Sequence, residues 1–173
     1  RVFFSSGTTG KKSKHYVQDL KVYDQSLLYS FKHAFGDPQN FHFLGITPDP
    51  SERKNSSLIY MIDKLQNFSK NEGFFSANFQ SFKLKIKKYK KSNKKIIIYG
   101  LSHLLLDFVE NEKFNLEDFI IIETGGMKGN REEIEKRKLH EILSDGFGTD
   151  KVYSEYGMTC LLYTSDAADE GGS

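Results

Sequence analysis

The chain has no tryptophan, one cysteine and only three prolines, and none of its apolar runs approaches the length that crosses a bilayer. A lone cysteine, Cys160, excludes an internal disulfide framework and fits a reducing compartment, so a cytoplasmic protein is expected. The start lacks the basic-then-apolar pattern of a targeting segment, and the glycosylation-like matches at Asn55 and Asn67 therefore read as chance. Histidine and cysteine never cluster at metal-site spacing. A net charge of +2 over 173 residues is nearly neutral and implies no partner of either sign. What the chain does have is aromatic bulk: 15 phenylalanines and nine tyrosines supply a core despite a mean hydropathy of -0.54. A single folded domain is expected.

Strand and helix signals alternate along it. Val2–Phe4 reads as a strand, and Leu20, Tyr23, Leu27, Phe31 and Ala34 recur at helical spacing over about residues 16–35, closed by Gly36 and Pro38. Phe41–Ile46 reads as a buried strand, and the two prolines at 47–51 impose a loop. Ser56 or Ser57 can cap a helix carrying Leu58, Ile59, Ile62, Leu65 and Phe68, which residues 71–73 end. Phe79–Tyr89 fits an amphipathic helix, although Phe82, Leu84 and Ile86 also alternate with lysines as in a half-buried strand. Residues 96–100 and 119–123 are β-branched runs of the kind buried in parallel sheets. Helices are expected over 101–109 and 131–143, with a last short strand at 151–155. The fold class that follows is α/β, a mostly parallel sheet with helices on both faces.

Glycine and hydroxyl residues gather after the expected strands, at 5–13, 47–51, 100–103, 124–129 and 156–159. Ligands of such sheets bind outside the carboxyl ends of the strands, so five loops should converge on one rim as a nucleotide or phosphate site. The first loop is the richest. Ser5, Ser6, Gly7, Thr8, Thr9 and Gly10 lead into Lys11, Lys12, Ser13 and Lys14: glycines let backbone N–H groups turn inward, hydroxyls add donors and lysines add charge. It is not the common G-x-x-x-x-G-K-[ST] loop, because Ser5 stands where the first glycine belongs and Lys12 where the metal-binding hydroxyl belongs. A plain strand-to-helix turn fits the same residues.

Other polar features read as structural. The lysines between Lys83 and Lys95 come without a stacking platform or a helix-turn-helix pattern, so a solvated face is expected and nucleic-acid binding is not. His15 and His103, both near the expected rim, read as hydrogen-bonded structural histidines, and Glu110 and Glu123 do not form a carboxylate pair. Phe41, Phe43, Leu104 and Leu105 could wall an apolar pocket, but a core would read the same way.

The opening loop, residues 123–129 (Glu-Thr-Gly-Gly-Met-Lys-Gly) and residues 154–159 (Ser-Glu-Tyr-Gly-Met-Thr), in this order and at these intervals, resemble the adenylate-forming, acyl-activating enzymes. Within them, residues 5–17 and 123–159 look like the acyl-protein synthetase branch, whose namesake feeds fatty acids to bacterial luminescence, with phenylacetate-CoA ligases as relatives. The resemblance covers residues 1–159 and implies part of a large N-terminal nucleotide-binding α/β domain. It further implies ATP and Mg2+ as cofactors, activation of a carboxylic acid, a fatty acid in the branch named, to an acyl-adenylate, and acyl transfer to a thiol or protein acceptor. By the same resemblance Ser6, Thr8, Thr9 and Lys11 belong to the loop that embraces the triphosphate. Gly125 and Gly126 would approach adenine through backbone, Tyr156 beside Gly157 would lie against its ring, and Thr159 would bond the α-phosphate.

After Thr159 the pattern calls for a magnesium-binding glutamate, and this chain has Cys160. From there to Glu170 the residues read as the in-frame translation of a transposase sequencing adapter, so 160–173 is expected to be a non-native tail on a truncated fragment. The fragment is then expected to be inactive although its parent is an enzyme. A non-catalytic nucleotide-binding module and a structural α/β domain are the alternatives.

Overall fold

The computed structural model describes residues 1–4, 14–76, 78–127, 129–158 and 161–164, with 156–158 and 161–164 described as backbone only. In chain order the elements are β1 (Val2–Phe4), β2 (Lys14–Tyr16), α1 (Leu20–Phe35), a 3-10 turn (Pro38–Asn40), β3 (Phe41–Ile46), α2 (Ser57–Ser69) and β4 (Phe74–Phe75). They continue with α3 (Phe79–Tyr89), β5 (Lys95–Leu101), α4 (Ser102–Asn111), β6 (Ile120–Thr124), α5 (Lys136–Phe147), β7 (Val152–Met158) and β8 (Leu161–Thr164). Six strands form one sheet in the order β4-β3-β5-β6-β7-β8. Every neighbouring pair is parallel except β7 with β8, so a largely parallel sheet flanked by helices is observed.

Alternation along the central strands divides the core in two. Ile97, Tyr99 and Ile122 face α1 and α2, where Leu27, Phe31, Ile62 and Leu65 cover them; Ile96, Ile98 and Ile121 face α3, α4 and α5, under Phe82, Ile86, Leu105, Phe108, Leu139 and Leu143. Both layers are dry: Phe43, Phe82, Phe108 and Phe147 are fully buried, each contributing about 1.5–3 kcal/mol by leaving water. Phe41, Phe43 and Leu105 thus sit in packed core, and Leu104 packs at its margin.

The helices begin where short-range chemistry starts them. The Asp19 carboxylate accepts from Lys21 N–H ahead of α1, Ser56 Oγ from Ile59 N–H ahead of α2, and Asn78 Oδ1 from Ser81 N–H ahead of α3. Two sequence expectations are corrected. First, residues 14–16 form a strand and α1 starts at Leu20, because the opening segment folds back: Val2, Phe3 and Phe4 pair antiparallel with Tyr16, His15 and Lys14. The opening strand therefore lies outside the parallel sheet, and the segment 5–13 joins two antiparallel strands, not a strand and a helix. Second, α5 starts at Lys136, not 131, since Arg131 turns away to bridge Asp107 and Glu110 on α4. Of the two readings of 79–89 the helix is the one observed: Phe82, Ile86 and Tyr89 are buried while Leu84 is 69% exposed, a period only a helix produces.

Candidate functional site

The carboxyl ends of β3, β5, β6 and β7 share one rim. From β3 the chain departs to α2 on one face and from β5 to α4 on the other, so the topological switch point of the sheet lies between these two strands. The hairpin reaches this rim from outside the sheet. Phe4 N–H donates to Asn55 O (3.0 Å) and Arg1 Nη2 to Lys54 O (2.6 Å), both in the loop that follows β3, while Phe3 is buried against Tyr23 and Tyr60.

Directly after β6 come Gly125 and Gly126, with φ of +80° and +56°. A side chain in that left-handed region costs about 1–2 kcal/mol. Space is not the constraint, because a Cβ on Gly126 would meet only Glu133 Oε2, at 4.0 Å. The glycines are there for backbone conformation, and the turn is anchored by Met127, which is 1% exposed in the core. The β6–β7 ladder ends at the pair Thr124 and Glu155, so Gly125 and Tyr156, each the next residue, occupy adjoining rim positions. Tyr156 and Gly157 continue β7, in register with Tyr163 and Leu162 of β8. Ser5, Ser6, Gly7, Thr8, Thr9, Gly10, Lys11 and Thr159 lie outside the described residues.

Beneath the glycine turn is a polar cluster that sequence reasoning missed. Glu123, 6% exposed, points to the α4 and α5 face and accepts from Ser102 Oγ at Oε2 (2.6 Å) and from Ser154 Oγ at Oε1. His140 Nε2 lies 2.9 Å from Ser154 Oγ and 3.4 Å from Glu123 Oε1. Since the Ser154 proton goes to the carboxylate, Nε2 must carry a hydrogen and donate to Ser154. One buried carboxylate thereby ties together the first residue of α4, α5 and two adjacent strands.

The next carboxylate is treated differently. Glu155 projects from β7 to the opposite face, toward Tyr23 of α1 and Tyr99 of β5, and its buried Oε2 has no hydrogen-bond partner among the described residues. Burial first, and then the negative charge of Glu123, push its carboxyl up to about 7. Burial likewise raises the Tyr99 phenol well above its ordinary value, and it raises that of Tyr23 to about 12; in both cases Glu155 adds to the effect. Glu110, paired with Glu123 nowhere, instead accepts from both terminal nitrogens of Arg131 at 2.6 and 2.7 Å, which lowers its carboxyl. Among the described residues no three His, Cys, Asp or Glu side chains gather as a metal site. Only the register Glu123 with Ser154 and the helix placements of Ser102 and His140 create the cluster, and neither can be read from local sequence.

No protein-family model matches the chain, and no curated protein sequence is significantly similar to it.

Proposed function

We propose that residues 1–159 are part of the nucleotide-binding domain of an enzyme that activates a carboxylic acid with ATP. The acid carboxylate displaces pyrophosphate to give an acyl-adenylate, and the acyl group then passes to a thiol or protein acceptor. The observation that carries this reading is the left-handed Gly125-Gly126 turn at the carboxyl rim, adjoining Tyr156. Such a turn lets a planar base approach backbone, and an aromatic side chain suits the base's face. In this reading Ser5 to Gly10 and Lys11 hold the triphosphate, where charge develops as pyrophosphate leaves, and Thr159 bonds the α-phosphate. Magnesium would accompany ATP in the parent reaction. Cys160 stands in place of the carboxylate that the resemblance assigns to the metal, and a lone thiol does not fit that hard cation.

The chain is proposed to bind nucleotide weakly without turning it over. Titration calorimetry with ATP and magnesium, with a pyrophosphate-release assay on fatty and aryl acids, tests both halves. Heat of binding with no pyrophosphate is the expected result. Protection by ATP of the amides at 124–127 and 156–158 in hydrogen exchange would place the ligand at the rim. No binding and no protection would reduce the chain to a structural α/β domain, and turnover would defeat the inactivity claim.

A further inference from the structure

The edge of the sheet opposite the rim carries a feature that nucleotide binding does not use. Residues 79–95 hold eight lysines and no acidic residue, so a chain of net charge +2 carries −6 elsewhere. The fold concentrates them further: α3 ends and β5 begins at the amino edge of the sheet, which brings Lys87, Lys88, Lys91 and Lys95 together there. Four of the eight are engaged by groups outside the segment, Lys83 by Glu112, Lys85 by Glu72, Lys90 by Asn115 O and Lys94 by Ser69 O. Lys87, Lys88, Lys91 and Lys95 are exposed and have no ion pair or hydrogen bond among the described residues. The positive field reaches inward: burial first, then Lys94, Lys85 and Lys88, lower the pKa of His42. On the outer side of the same helix Leu84 is 69% exposed, four residues before Lys88 and three before Lys87.

We propose that this lysine edge is a docking surface for an anionic lipid membrane. Clustered lysines on a helix with an outward apolar side chain match the headgroup charge and the shallow insertion that such a surface rewards. Nucleic acid fits less well, since the segment's Phe82 and Tyr89 are buried, Tyr89 stacked on His42, and offer no ring for a base. A protein partner would need an apolar interface core, and Leu84 stands alone on the outer side of α3. Docking by this edge leaves the carboxyl rim facing away from the bilayer, free for ligand exchange.

The test is co-sedimentation of the chain with vesicles of neutral phosphatidylcholine and with vesicles containing about 30% phosphatidylserine. Binding is expected to the anionic vesicles only, and to be lost near 0.5 M NaCl, roughly where the screening length falls below the spacing of surface charges. The triple variant Lys87→Glu, Lys88→Glu, Lys91→Glu should bind at least about tenfold more weakly, and Leu84→Ala about twofold. Reversing the same number of charges at the other end of the fold, with Lys21→Glu, Lys136→Glu and Lys138→Glu, should cost much less. Equal binding to both vesicle types, equal losses in the two triple variants, or retention by RNA but not by vesicles would each overturn the proposal.

Discussion

Glu123 and Glu155 sit on neighbouring strands, near the same rim, on opposite faces of one sheet, and the fold answers their burial in opposite ways. Glu123 is surrounded by donors, Ser102 and Ser154 directly and His140 through Ser154. Glu155 has a buried oxygen facing tyrosines and no donor among the described residues. Burial is similar in kind, and satisfaction differs. The first carboxylate is part of the scaffold; the second keeps an oxygen that no described residue bonds.

The comparison can be broken most severely at its satisfied end. Glu123→Ala removes the acceptor shared by Ser102 and Ser154, two hydrogen bonds to a buried carboxylate, so a loss of about 3 kcal/mol in urea unfolding is expected. Glu123→Gln, which keeps the shape, should cost appreciably less.

At the unsatisfied end the perturbation is pH. Glu155 titrates near 7 in the folded chain against an ordinary 4.5, so between these values the native state binds more protons than the unfolded one. Stability is then full below about 4.5, falls as pH rises through the window and levels off above about 7, by up to about 3 kcal/mol. Glu155→Gln should flatten that part of the stability curve and leave the variant more stable than the parent at pH 8. A decline of equal size in the variant would assign the effect elsewhere.

Smaller effects sharpen the contrast. His140→Ala removes a donor to Ser154 but leaves the Glu123 carboxylate with both serines, and about 1 kcal/mol is expected by the same unfolding assay. Arg131→Ala breaks the pair with Glu110 on the surface of α4, for at most about 1 kcal/mol. Because Arg131 lowers the Glu110 carboxyl, that contribution is present above its ordinary range and disappears as pH falls below it. A measured cost above that of Glu123→Ala would reverse the ranking of buried over exposed.

Much of the fold was legible in the sequence for local reasons. The strands β5 and β6 announce themselves by β-branched runs of isoleucine and β3 by its apolar run, while Ser56 starts a helix and Gly36 ends one by chemistry that acts within a few residues. Elements held by partners distant in the chain were not legible: β4 is two residues paired with β3, and β2 exists through pairing with β1. The glycine turn of the candidate site was visible because glycine itself is the signal. The polar cluster was not, since Ser102, Glu123, His140 and Ser154 share no spacing and meet only through strand register. The alternating lysines of 79–89 left a strand open beside the helix for a related reason: Leu84 is apolar yet lies outside the core, and one exposed leucine suffices to imitate a strand.

The hairpin at the start of the chain has a mechanical consequence. Phe4 and Lys14 are cross-strand partners, so the segment between them is fastened at both ends, and one of those ends is bonded to the loop that follows β3. Bringing together the ends of a free loop of that length costs roughly 2 kcal/mol of chain entropy, and here the stem meets that cost before any ligand is present.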